Sequence, residues 1–221
     1  MARYLGVDGF AGGWVAAWID DEGNSGFEPA RQLDRLLATP LARAMIDMPI
    51  GLPKSGHREC DRSARKLIGA SVFLGARRNI WEFPDQASAN RYYWRHEGPR
   101  TGISCQLWNI RGKIREVDNL MTPERQQTIG EAHPELVFWR LNHRIRLAPK
   151  KAATGREQRI AILARQGFGE ITQWLDRRRG TGVGRDDLID ACACAVAARD
   201  SHDRLGGDQR DARGLRMEIN Y

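Results

Sequence analysis

The sequence predicts an α/β protein, a mixed β-sheet flanked by helices. Two short apolar stretches near the start, Tyr4–Asp8 and Trp14–Ile19, are separated by a Gly-rich turn, as a hairpin series is. Amphipathic helical stretches follow, one with Ser104 placed as its cap and one with Pro134 at its start. Late in the chain a short strand leads, through further helices, to a strong Ala-rich helix. No internal repeat and no break in composition suggests a second domain.

In order, Tyr4–Asp8 ends in Gly6-Val7-Asp8-Gly9, and Trp14–Ile19 follows Gly12-Gly13. Gln32–Ala38 reads as a helix with Leu33, Leu36 and Leu37 on one face. Ala42–Met48 reads as a strand, stopped by Pro49 and Pro53. His57–Ile68 has Cys60, Ala64, Leu67 and Ile68 on its apolar side, with Arg58, Arg62, Arg65 and Lys66 outside. Residues 77–100 show no clear period, although Arg91-Tyr92-Tyr93-Trp94-Arg95-His96 interleaves basic and aromatic side chains. That segment suits either stacking on nucleic-acid bases or aromatic packing of an insertion.

Ser104 is placed to cap a helix carrying Leu107, Ile110, Ile114 and Val117. A strand over Gln127–Ala132 leads to Pro134, which suits the first position of a helix through Leu141. Arg156–Arg165 is helical, Gly180–Gly184 is a flexible loop, and Asp186–Arg199 is the last strong helix. Residues 201–221 are expected to be a loosely ordered tail, and residues 1–200 a single domain.

Composition narrows the function classes. Of the 221 residues, 41% are hydrophobic and 29% charged, which excludes a disordered, collagenous or coiled-coil chain. The longest apolar run is the eight residues Ala191–Ala198, against the ~20 that a membrane helix needs. Arg3 is followed at once by a strand ending in Gly6-Val7-Asp8-Gly9, so no signal segment is expected there. The four cysteines show no metal-ligand spacing and read as reduced and structural, consistent with a cytoplasmic setting.

The net charge of +7 is unevenly placed. Between Arg140 and Arg185 twelve Lys/Arg face three acids, which suits either a phosphate-bearing partner or a solvated basic face. Lys150, Lys151, Arg156 and Arg185 are the candidate nucleic-acid contacts in that block.

Acids sit where strands end. Asp8 follows Leu5-Gly6-Val7, Asp47 follows Met45-Ile46, and Glu131 closes the short strand before Ala132. Asp187 and Asp190 are one helical turn apart beside an apolar stripe of Leu188, Ala191, Cys192 and Ala195. A sheet with that helix pressed on it brings such residues around one point. Clustered carboxylates repel, and divalent cations with a preference for oxygen ligands remove the problem. Each acid also has a plain structural use: Asp8 in a turn, and Asp186 and Asp187 at a helix N-terminus.

Four motifs together carry a resemblance: Ile46-Asp47-Met48-Pro49-Ile50-Gly51-Leu52-Pro53, Cys60-Asp61-x-x-Ala64-Arg65, Glu131-x-His133-Pro134-Glu135, and Asp186-Asp187-x-x-Asp190-Ala191. They resemble an uncharacterised family of predicted ribonuclease H-like nucleases, domain of unknown function 429, over about residues 4–199. The last helix is also similar to that of RuvC-type junction resolvases. The resemblance implies a five-stranded mixed ribonuclease H-like sheet with a helical insertion after the fourth strand, at about residues 54–125. It further implies that Asp8, Asp47, Asp187 and Asp190 hold two Mg²⁺ or Mn²⁺ ions. Glu131 would then be a further ligand or a base.

His133 would either assist proton transfer or fix the turn before Pro134. The expected activity is metal-dependent hydrolysis of phosphodiester bonds in nucleic acid. The alternatives are a non-catalytic binding module on the same fold and a hydrolase of a small phosphorylated substrate.

Overall fold

Gly6 decides how the sheet is covered. A Cβ built at this position would lie 2.0 Å from the Ala195 amide nitrogen and 2.1 Å from the Ala191 carbonyl oxygen. Backbone therefore meets backbone where the Ala-rich helix crosses the first strand, and only glycine allows that approach.

The computed structural model describes residues 2–221. The strands are β1 (Arg3–Phe10), β2 (Gly13–Asp20), β3 (Ser25–Ala30), β4 (Arg43–Ile46), β5 (Ile129–Glu131), β6 (Arg204–Arg210) and β7 (Arg216–Asn220). The helices are α1 (Leu33–Leu37), α2 (Glu59–Ile68), α3 (Gln86–Glu97), α4 (Cys105–Leu120), α5 (Pro134–Leu141), α6 (Ala153–Arg165), α7 (Ile171–Arg177) and α8 (Arg185–Asp200). The first five strands form one mixed sheet in the order β3-β2-β1-β4-β5. β2 runs antiparallel to β1 and β3, whereas β4 runs parallel to β1 and β5. The expected α/β class with a five-stranded mixed sheet is what the chain adopts.

β1 is central, and Leu5 and Val7 within it are fully buried. α8 is apolar on nearly every side, with Leu188, Ile189 and the run Ala191–Ala198 all buried, as a helix enclosed by sheet and helices must be. It packs on β1, β2 and β4, and α5 lies beside it. Small side chains throughout this run bring it close to the strands. Pro134 occupies the first turn of α5, where its missing N–H costs nothing. Ser104 accepts a hydrogen bond from the Leu107 amide at 3.2 Å and so caps α4.

The chain forms two compact units. One comprises the segment ending at Asp47 with Thr128–Asp203 and Asn220–Tyr221, and holds the five-stranded sheet. The other comprises Met48–Gln127 and Arg204–Ile219. The second unit is rich in internal ion pairs. Arg58 pairs with Asp61 at 2.5 Å, Arg77 with Glu97 at 2.8 Å, and Arg78 with Asp118 at 2.7 Å.

Residues 204–220 are not the loosely ordered tail that their Arg/Asp/Gly content suggests. β6 and β7 pair as a two-stranded sheet, and Leu215, Met217 and Ile219 are buried. The apolar positions 215, 217 and 219 alternate, which is a strand signal that the charged flanks obscure. α3 and α7 also form where no period stands out, and β3 is an edge strand, the position that tolerates its Pro29.

Candidate metal centre

The β1–β4 register builds the centre. Val7 stands opposite Ile46, and the Asp47 amide donates to the Val7 carbonyl at 2.9 Å, so Asp8 and Asp47 sit side by side where the β1–β4 pairing ends, two residues before β1 itself does. Asp8 is two residues beyond Gly6 and so shares the sheet face that α8 covers. The close crossing at Gly6 then carries Asp190, one residue before Ala191, to the same place. Carboxylate oxygens of Asp8, Asp47 and Asp190 lie within 4.8 Å of one another. Asp8 is 7% exposed and Asp190 5%, although acids are seldom buried without a counter-charge.

Two groups offset the crowding. The Gly9 amide donates to Asp8 Oδ1 at 2.6 Å, and Lys150 Nζ donates to Asp190 Oδ2 at 3.0 Å. They do not suffice. Burial, then the neighbouring Asp47, Asp190 and Asp187 charges, hold the Asp8 carboxyl well above its ordinary value, and the Gly9 hydrogen bond only opposes this. Asp47 is pushed up to about 7 by burial with Glu135 adding, against the pull of Lys150. Asp190 is likewise pushed up to about 7, mainly by burial and then by Asp47, while Lys150 opposes. Burial first and the three acids second keep the Cys194 thiol well above its usual range, so it adds no charge to the cluster.

The donor set fits a hard divalent cation. All three groups offer carboxylate oxygen, the ligand type such an ion prefers, and the oxygens lie within 4.8 Å of one another. With Lys150 counted, three carboxylates leave an excess of two negative charges, the charge of one such ion.

The remaining candidate residues have other places. Glu131 stands opposite Ile46 in the row that also holds Val7, one residue off the Asp8–Asp47 row. Alternation along the strand therefore turns its side chain from the face that carries the cluster. Asp187 accepts from the Gly184 amide at 2.9 Å at the start of α8, near enough to raise the Asp8 carboxyl but outside the converging three. His133 Nδ1 accepts from the Glu135 amide at 3.2 Å and caps α5.

Glu135 was not singled out by the sequence reading. It lies close enough to raise both Asp47 and Asp190, while its own charge is met by Arg159 at 3.0 and 2.7 Å. Its presence in the Glu131-x-His133-Pro134-Glu135 motif was the available signal.

Lys150, Lys151 and Arg185 are all exposed, and of these Lys150 donates to Asp190. Arg156 is half-buried and donates to the Lys151 carbonyl at 3.0 Å. Several other members of the basic block serve the fold: Arg159 is buried on Glu135, and Arg178 donates to the Val183 carbonyl at 3.1 Å. The surface charge available to a polyanion is accordingly smaller than the sequence total.

The family described as Protein of unknown function (DUF429) matches residues 6–208, and the chain belongs to it. No curated protein and no solved structure matches the chain. No described helix is long and apolar enough to cross a membrane.

Proposed function

We propose that this DUF429 member is a divalent-cation-dependent hydrolase of phosphodiester bonds in nucleic acid, built on a ribonuclease H-like sheet. The sheet order β3-β2-β1-β4-β5 with only β2 antiparallel to its neighbours supports that fold assignment. The observation that carries the activity is the convergence of Asp8, Asp47 and Asp190, from β1, the end of β4 and a helix, into one under-neutralised cluster.

Asp8, Asp47 and Asp190 would hold Mg²⁺ or Mn²⁺. Such an ion, when bound, supplies positive charge to a phosphoryl oxygen and makes bound water more acidic. The protein's own part is orientation. Gly9 fixes one oxygen of Asp8, Lys150 fixes one oxygen of Asp190, and the strand register fixes Asp47 beside Asp8. Exposed Lys151 and Arg185, with half-buried Arg156, offer charge to backbone phosphates on the same unit.

The test is hydrolysis of labelled single strands, duplexes, RNA–DNA hybrids and junctions with Mg²⁺ or Mn²⁺, beside Asp8→Asn. Cleavage by wild type that the variant loses supports the reading. Equal cleavage by both, or metal-free salt-sensitive binding without cleavage, overturns it and favours a binding module.

A further inference from the structure

The charges around the cluster are few enough to be followed one by one. Glu135 lies beside it but is matched by Arg159, which donates from Nε at 3.0 Å and from Nη2 at 2.7 Å. Asp8 receives one backbone N–H, which is a dipole and not a charge. Among the described residues, the cation in contact with the cluster is the Lys150 ammonium, 3.0 Å from Asp190 Oδ2. It also lies within electrostatic reach of Asp47 and Asp186.

Lys150 is held there by a built segment. It lies in the connection between α5 and α6, and the residues on either side are fixed from α6. Arg159 Nη1 donates to the Ala148 carbonyl at 2.9 Å, and the Ala148 amide donates to Gln158 Oε1 at 3.0 Å. The Ala152 amide donates back to the Pro149 carbonyl at 2.9 Å. Gly155 is so close that a Cβ there would lie 2.2 Å from the Pro149 oxygen and 2.6 Å from the Ala148 oxygen. The guanidinium that neutralises Glu135 is thus the same one that anchors the approach to Lys150. A surface lysine on a free loop would not be secured in this way.

We infer that this centre takes a single divalent cation and that Lys150 supplies, from within the chain, the positive charge that a second ion would bring. The inference rests on the metal reading proposed above and departs from the two-ion arrangement that the sequence resemblance implies. The three converging carboxylates and one ammonium leave two negative charges, which one divalent ion cancels; even with the nearby Asp187 counted, a second ion would leave positive charge in excess. Lys150 also engages Asp190 Oδ2, which leaves Oδ1 of that carboxylate to an ion. Its side chain is 44% exposed, so an ammonium with three donors can serve Asp190 and still meet a substrate oxyanion. Arg159 and Gly155 are positioning residues for it.

The experiment is calorimetric titration of the full chain with Mn²⁺, the bound ions counted independently by electron paramagnetic resonance. Wild type is expected to bind one ion, with the binding lost in Asp8→Asn. Lys150→Met is expected either to accept a second ion or to hold the first about tenfold more tightly, whereas Lys150→Arg keeps one ion at near wild-type affinity. Two ions on wild type, or a Met variant unchanged in both number and affinity, would overturn the inference and leave the metal reading standing. No Mn²⁺ on wild type would remove the metal reading and this inference together. Should Lys150→Met fail to fold, the wild-type count and the Arg variant still decide.

Discussion

Replacing Gly6 by alanine tests whether the β1–α8 crossing builds the centre. The added carbon would lie 2.0 Å from the Ala195 nitrogen, where ordinary contact needs ~3.5 Å, so strand and helix must part by ~1.5 Å. Overfilling a packed core costs about 1–3 kcal/mol, and both obstructing groups here are backbone, which puts the cost near the upper end. For a chain of this size ~3 kcal/mol lowers the melting temperature by about 6–12 °C. Asp190 moves with α8, so Mn²⁺ affinity is expected to fall along with stability. Thermal unfolding and calorimetry read both, with Gly112→Ala in α4 as the control. Nothing lies within 4 Å of a Cβ at Gly112, and a helical alanine there is expected to add ~0.5–1 kcal/mol. A Gly6→Ala protein that melts within ~2 °C of wild type and binds Mn²⁺ normally would refute the geometry.

Four other outcomes are expected. Because Asp47 and Asp190 are raised to about 7, the folded chain keeps protons that the unfolded chain releases near pH 4. Stability without metal should therefore fall as pH rises from about 4 through 7, and Asp8→Asn should flatten that decline, as melting curves in a chelator would show. Mn²⁺ competes with those protons, so its stabilising effect should grow from pH 6 to 8; a constant effect would argue against binding at these carboxylates. Asp187→Ala should lose the bond to the Gly184 amide and ~0.5–2 kcal/mol of stability, yet keep Mn²⁺ affinity within a few-fold of wild type, because Asp187 stands outside the cluster. Gly155→Ala should displace Pro149 and reproduce the Mn²⁺ titration of Lys150→Met, with α6 still formed by circular dichroism.

The elements that could be read from sequence are those whose signal is local. Pro134 and Ser104 mark the starts of α5 and α4 because the caps are made within a few residues. β1 and β4 stand out as apolar runs that stop at an acid or a proline. α3 begins with Asp85 accepting from the Ser88 amide at 2.7 Å, a legible cap, but the aromatic and basic residues after it blur the period. β3 contains Gly26 and Pro29, which count against a strand until its partner is known to lie on one side only. β6 alternates too weakly in polarity for its pairing to be read before β7 is beside it.

The same distinction separates the acids. Asp8 and Asp47 are placed where the β1–β4 pairing stops, and Asp190 by the helix that the small residues around it allow close to Gly6; all of this is written nearby in the chain. Glu131 also ends a strand, but its side depends on whether Ile46 or Asp47 is its neighbour, and a shift of one residue reverses the face. Lys150 is harder still, since its partner is forty residues away and the anchored connection before α6 brings it there. Strand ends can therefore nominate ligands from sequence, whereas the charge that balances them is settled by tertiary contacts. A count of acids predicts how many oxygens a centre can offer; how many ions it takes follows from the cations that the fold has already brought there.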